Sequence, residues 1–290
     1  MQKILAALGA FAAPAAYFAG RAIGSPALSA LSVQLDHHYL RGYASKLQSE
    51  NVKSEMFSRF SQAAKLCASG KKAIDNELIK VFPMSHGQLL QDVVCMVLHE
   101  GKRDGYFVEI GVGDGTKYSN TLMLERDFGW RGVLAEPAAM FHDSISKSRA
   151  AILDRRAVSD KTGDTLVFQQ DNEVGELSGF AGAKESIIGK DISRYIVDTI
   201  SFDDLMDEHG APNEIDYVSI DTEGSELLIL DGMSMKKRNI SFITIEHNFS
   251  RKRIKDFDTF FYKNGYRRIL KELSQFDCWY VINGFADDVY

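Results

Sequence analysis

Two acids and three glycines stand in an order that could hold a nucleotide-type cofactor. In Gly105-Tyr-Phe-Val-Glu-Ile-Gly-Val-Gly-Asp-Gly-Thr116 an apolar run passes straight into Gly111-x-Gly113-x-Gly115. Glu109 precedes the first glycine, and Glu136 ends the next apolar run, Gly132-Val-Leu-Ala-Glu136. Glycines at such a turn let the backbone approach a ligand closely. A carboxylate offers two acceptor oxygens, which suits a pair of vicinal ribose hydroxyls. The spacing also helps choose the cofactor. A dinucleotide fingerprint, G-x-G-x-x-G, uses its third glycine to pack helix on strand beside a pyrophosphate. Here that position is Thr116, and the third glycine falls one residue early.

A second group of residues could move a proton. Asp221-Thr-Glu223-Gly-Ser-Glu226 and Glu246-His247 each follow an apolar run. If those runs are neighbours in a sheet, Asp221, Glu223 and His247 converge. A histidine, or a carboxylate shifted toward neutrality, can act there as a base. The same three side chains could instead hold a divalent ion, hard oxygen donors suiting Mg²⁺, although nothing in the sequence requires a metal. Asp221 and Glu223 could also simply cap the helix that follows.

The elements that must position these groups alternate between helix and strand. Helices are expected over 88–99, 120–128, 137–148, 201–209, 225–230 and 252–263, and strands over 106–111, 132–136, 151–158, 164–169, 215–221 and 240–245. Ser119 or Asn120 is placed to cap the second helix, and Asn264-Gly265 closes the last. Two further strands, 266–270 and 278–282, are expected as an antiparallel pair at one edge. Strands alternating with helices argue a doubly wound, mostly parallel sheet with a ligand crevice beyond the strand C-termini.

The 290 residues allow one large domain with an extension, and 45% hydrophobic and 11% aromatic residues suit a globular core. A net charge of −6 argues against a general nucleic-acid binder. Cys67, Cys95 and Cys278 are widely spaced, with no C-x-x-C pair, so they read as packing residues rather than as a zinc or disulfide framework. Residues 22–80 read as a polar helical extension. His37-His38 lies in it, and adjacent histidines point apart on a helix, so a solvated face is the simpler reading. Residues 4–20 form an almost uncharged, Ala-rich stretch interrupted by Pro14. It reads as a docked helix, as a membrane-contacting anchor or as a cleaved signal.

Several motifs in one order resemble the FkbM family of methyltransferases. They are Ser85-His-Gly-Gln-Leu-Leu-Gln-Asp92, Gly105-Tyr-Phe-Val-Glu-Ile-Gly111, Tyr118-Ser-Asn-Thr121, Leu124-Glu-Arg-Asp-Phe-Gly-Trp-Arg-Gly132 and Glu136-Pro137. Downstream come Ala157-Val-Ser-Asp160, Ile200-Ser-Phe-Asp-Asp-Leu205, Ile215-Asp-Tyr-Val-Ser-Ile-Asp-Thr-Glu-Gly-Ser-Glu226 and Ile245-Glu-His247. The E-x-G-x-G-x-G turn likewise resembles motif I of S-adenosylmethionine-dependent methyltransferases. The resemblance spans about residues 85–250, with a weaker tail to 285. It divides the chain into a helical extension, 1–84, and a methyltransferase domain, 85–290. It implies a Rossmann-like class I fold, S-adenosylmethionine as cofactor, and O-methylation of a sugar or other natural-product hydroxyl.

The resemblance also implies roles. Gly111 and Gly113 approach the cofactor, Glu109 helps hold its methionine part, Glu136 its ribose, Ser159 and Asp160 its adenine, and Asp221 also contacts it. Asn120 caps the helix or reaches the cofactor. His247 is the first candidate for the base, Asp221 the second, and Glu223 either assists them or caps. Two positions depart from the family pattern: Ser219 stands where Lys is frequent, and Ala138 where Asn is frequent.

A cytosolic cofactor pool implies a cytoplasmic location, with membrane contact through residues 4–20 as one reading. The expected partner is a small-molecule acceptor, a sugar or glycoconjugate, and no nucleic acid; the chain lacks the N-x-P-P-Y and P-C motifs that resemble DNA methyltransferases. A nucleotide-binding oxidoreductase and a non-catalytic partner-binding module are the rival readings. The expectation to test is that Glu136→Ala abolishes cofactor affinity, measured by calorimetric titration; unchanged affinity would remove Glu136 from the ribose.

Overall fold

The computed structural model describes residues 81, 84–173, 175, 178–180, 191–271 and 273–287. The extension expected over 22–80, the stretch 4–20, His37-His38 and Cys67 lie outside the described residues, as does most of the 175–189 loop. Two compact units divide the chain: Met1–Gly101 with Ala286–Tyr290, and Lys102–Phe285.

In the first unit, helix α1 (Gln91–Leu98) is buried along its whole length. Asp92 organises its entry. The carboxylate accepts from Ser85 Oγ at 2.7 Å and from the backbone N–H groups of His86, Gly87 and Val93 at 2.7, 3.1 and 2.8 Å. An acid in a first turn satisfies donors that the helix cannot pair itself.

The second unit is built on a seven-stranded sheet, ordered β10-β11-β9-β8-β1-β2-β3. Its strands are β1 (Tyr106–Ile110), β2 (Arg131–Ala135), β3 (Ile152–Asp154), β8 (Glu214–Ile220), β9 (Asn239–Glu246), β10 (Tyr266–Ile269) and β11 (Asp277–Ile282). β3, β2, β1, β8 and β9 are mutually parallel. The expected C-terminal hairpin edges the sheet, with β11 running antiparallel to both β9 and β10. This is the mixed, mostly parallel α/β architecture expected from the sequence.

The expected strand 151–158 is two strands. Asp154 Oδ1 accepts the N–H of Arg156 at 2.9 Å, and the Arg156 guanidinium reaches Asp154 Oδ2 at 2.6 Å. This local Asx-type turn breaks the ladder. The chain then enters a second sheet, ordered β4-β7-β5-β6, made of β4 (Ala157–Ser159), β5 (Thr165–Asp171), β6 (Gly179–Phe180) and β7 (Ile192–Ser201). β7 was not expected from the sequence. Its polar and apolar residues mix on the solvent side, where Arg194, Ile196 and Asp198 are exposed, so no clean alternation marks it. Phe168, Phe180 and Val197 of this sheet pack with Ala138 and Ala157. Ala138 is thus a core residue, where an amide side chain would need room and partners.

The helices of this unit are α2 (Leu122–Phe128), α3 (His142–Ser148), α4 (Phe202–Glu208), α5 (Glu226–Asp231) and α6 (Arg251–Lys263). α6 begins where Ser250 Oγ accepts the N–H of Arg253 and stops before Gly265, at φ 84°. Its stripe of Ile254, Phe257, Phe260 and Phe261 joins the apolar face of the sheet, with Val218, Ile243, Ile245 and Tyr280. Cys95 and Cys278 are buried.

Among the described residues no helix is long and apolar enough to cross a membrane. The expectation of membrane association is corrected to that extent; residues 4–20, through which contact was expected, lie outside the described residues.

Phe261 stacks on Tyr280 at 4.2 Å between centroids, both rings fully buried. Phe261→Ala is expected to cost about 3–5 kcal/mol, as deletion of a buried ring does. The urea midpoint of unfolding measures it.

Candidate functional site

Strand β1, the middle of the five parallel strands, lies between β2 and β8, and all three deliver their C-termini to one edge of the sheet. Ligands in open α/β sheets bind beyond such an edge, where the strand order reverses. At the end of β1 the three glycines all take left-handed backbone, at φ 80°, 58° and 84° for Gly111, Gly113 and Gly115. Gly111 has a second reason to lack a side chain. A Cβ there would lie 1.7 Å from the carbonyl oxygen of Asp221. The two segments are held that close because Asp221 donates its N–H to the carbonyl of Ile110 at 2.9 Å.

Glu136 closes the turn from the β2 side. Its Oε2 accepts the N–H groups of Val112 and Gly113 at 2.8 and 2.9 Å, and its Oε1 accepts that of Ala138 at 2.8 Å. Burial pushes its pKa up, the three N–H donors oppose that shift, and repulsion from Glu109 adds to it. With about four acceptor positions on a carboxylate, Oε1 keeps capacity for a ligand hydroxyl.

Glu109 is 2% exposed and spends its oxygens on the protein. It accepts from Ser119 Oγ at 3.1 Å, from the N–H of Asn120 at 2.7 Å and from Thr121 Oγ1 at 2.6 Å, and it lies 3.5 Å from the Arg149 guanidinium. It therefore shapes the segment that carries Asn120. The Asn120 amide donates to Ser219 Oγ at 2.9 Å, while its Oδ1 is buried with no hydrogen-bond partner. Ser219, at the position where the family resemblance would favour Lys, sits inside a buried hydroxyl ladder with Thr244 and Tyr217.

Ser159 is buried and donates to Asp160 at 3.1 Å, while Asp160 is exposed. Both stand at the end of β4, which pairs with β7 of the second sheet rather than with β2.

Beyond β8 and β9 the structure brings together carboxylates. The register pairs Ile220 with Ile245, so Asp221 and Glu246 emerge side by side. A hydrogen bond joins their side chains. Both pKa values are raised. For Asp221 burial is the main cause, followed by repulsion from Asp277 and Glu223; for Glu246 burial comes first, then Asp221 and Glu223. Two carboxylates in such contact cannot both ionise freely, so the pair retains a proton to higher pH than a lone carboxyl. Asn248 clamps the group, its amide donating to Glu246 at 2.9 Å and to Glu223 at 3.2 Å.

His247 does not join this cluster. Its ring is 2% exposed, neither nitrogen makes a hydrogen bond of normal geometry, and its charged neighbours are Arg268 and Arg253. Burial, then those guanidinium groups, lower its pKa, which leaves the imidazole neutral at pH 7. The expected convergence of Asp221, Glu223 and His247 thus becomes one of Asp221, Glu223 and Glu246, because successive residues at the end of a strand point to different sides. The cap at this turn also belongs elsewhere: Glu226 Oε1 accepts the N–H groups of Thr222 and Gly224 at 3.2 and 2.9 Å. Among the described residues no three His, Cys, Asp or Glu side chains are grouped to hold a metal ion.

Sequence reasoning missed Arg149, Asn248 and Asp277, and named Glu246 only as the neighbour of His247. Glu246 was within reach, since it ends an apolar strand as Asp221 follows one. Arg149 and Asp277 carry no spacing signal.

The family model of the methyltransferase FkbM domain matches residues 109–268, from the acid of β1 into β10. No curated protein matches the chain. The family match favours a methyltransferase over the oxidoreductase and the partner-binding module considered as rivals.

Gly111→Ala is expected to cost about 2–5 kcal/mol, combining overpacking against Asp221 with left-handed strain. Gly163 also has positive φ, but a Cβ added there would meet nothing within 4 Å, so Gly163→Ala serves as the control and loses only about 1–2 kcal/mol. Thermal unfolding of the two variants separates the contributions.

Proposed function

The chain belongs to the FkbM methyltransferase family, and from that premise we propose that it methylates a hydroxyl of a sugar or similar small molecule. The family's cofactor is S-adenosylmethionine, which when bound supplies a methyl group on a sulfonium centre open to in-line displacement. Three features of the chain fit that ligand: glycines that permit close backbone approach, a Glu136 oxygen with spare acceptor capacity, and the orphaned Asn120 Oδ1. In this reading Gly111, Gly113 and Asn120 hold the methionine end, with Glu109 acting through the N–H of Asn120. Glu136 takes the ribose hydroxyls, and Ser159 and Asp160 border the adenine.

The observation that carries the acceptor class is the Asp221–Glu246 pair beside the glycine turn. Methylating an oxygen requires the hydroxyl to lose its proton. A carboxylate whose pKa is raised toward neutrality takes that proton more readily than an ordinary one. Glu246, donating to Asp221, leaves Asp221 as the ionised member and the base. Glu223 and Asp277 hold its pKa up. His247, neutral and with no ring hydrogen bond of normal geometry, is the alternative base. Orientation of the hydroxyl against the methyl group supplies much of the remaining acceleration.

The test is calorimetric titration of the full chain with S-adenosylhomocysteine, followed by a screen of sugar acceptors with S-adenosylmethionine. Asp221→Asn is expected to keep cofactor affinity and to slow methyl transfer by roughly 10²–10⁴-fold. If His247→Gln produces that loss and Asp221→Asn does not, the base is His247. The pH profile has a definite sign. Activity falls as pH drops through the raised pKa of Asp221. Glu223→Gln removes a repelling charge, lowers that pKa and moves the acid limb to lower pH.

A further inference from the structure

We propose that Arg149, outside every motif singled out above, is the positioning residue that holds the cofactor turn in its binding shape. The inference rests on reading residues 109–115 as that turn.

Arg149 directly follows α3, and its side chain is wholly buried. Its guanidinium engages the Glu125 carboxylate through Nε at 2.9 Å and Nη2 at 2.8 Å. Nη1 donates to the carbonyl of Gly115 and to Ser119 Oγ, both at 3.2 Å, and lies 3.5 Å from Glu109. Nη2 donates to Thr121 Oγ1 at 2.8 Å. The plane sits 5.7 Å from the Phe107 ring centroid. A guanidinium presents five N–H donors in a rigid fork, and no other side chain could serve so many acceptors from one point.

These acceptors lie on both segments that shape the site. Gly115 ends the glycine turn. Ser119 and Thr121 flank Asn120, whose N–H is bonded to Glu109 and whose Oδ1 is the orphaned acceptor. Arg149 therefore sets the distance between the glycine turn and Asn120 without reaching the ligand. α3 supports the same turn a second time, Ser144 Oγ donating to the Asp114 carbonyl at 2.8 Å. Arg149 also neutralises Glu109, which already repels Glu136. Without the cation, Glu109 would be a buried charge with no counterion. The 109–121 segment would relax, while the ladders β1–β2 and β1–β8, which Arg149 does not bond, would remain.

The experiment is S-adenosylhomocysteine titration of the full chain as wild type, Arg149→Lys and Arg149→Ala, with melting temperatures recorded alongside. Arg149→Lys keeps the charge and is expected to fold, yet one ammonium cannot span both segments. Its affinity should fall roughly 10- to 100-fold, the range usual when a supporting shell is loosened. Millimolar methylguanidinium should restore affinity to folded Arg149→Ala and leave the wild type unchanged. Wild-type affinity in Arg149→Lys overturns the proposal. So does a loss in Arg149→Ala that merely tracks the unfolded fraction, or one that methylguanidinium leaves unaltered in folded protein. If the wild type itself fails to bind, the cofactor reading falls and the inference falls with it.

Discussion

A carbonyl oxygen occupies the space where a side chain on Gly111 would begin. The Asp221 oxygen lies 1.7 Å from that Cβ position, and the site depends on this approach. It lets the turn after β1 and the chain after β8 lie against each other. The three glycines and the Asp221–Glu246 pair are adjacent for that reason. Sheet order does the rest. β1 is the middle of the five parallel strands, with β2 and Glu136 on one side and β8 with Asp221 on the other. A parallel arrangement brings all of these strand ends to the same edge.

Around that approach, buried carboxylates are separated into different tasks by their partners. Glu109 meets a guanidinium, two hydroxyls and an N–H, and so holds backbone in place. Glu136 meets three backbone N–H groups, which offset part of its burial and tie it to the glycine turn. Asp221 and Glu246 meet chiefly each other and further acids, which favours keeping a proton between them. The nearby His247 faces arginines and stays neutral. In the proposed reading one residue type thereby supplies structure, ligand capacity and proton chemistry, as local donors and charges dictate.

Much of the frame was legible because its signals are local. The strand into Gly111-x-Gly113-x-Gly115, the helix expected over 252–263 and its Asn264-Gly265 stop each lie within one stretch of chain, and these elements form where they were expected. The break at Asp154–Arg156 was not legible. A side chain bonding its own backbone two residues on competes with a strand without disturbing its apolar pattern. β7 was missed for a related reason. Exposed Ile196 sits on its solvated face and buried Thr199 on its packed face, which blurs the alternation a one-sided strand would otherwise show.

By itself, then, the sequence determined the family, the parallel α/β class, the glycine turn and the acids that border it, because backbone conformation and apolar periodicity are written in neighbouring residues. Tertiary structure decided which side chains meet. It paired Asp221 with Glu246 through strand register, turned His247 toward Arg253 and Arg268, and placed Arg149 between two segments. It also buried Ser219 in a hydroxyl ladder and Ala138 in a core. Those outcomes depend on distances between residues far apart in the chain, and no spacing along it encodes them.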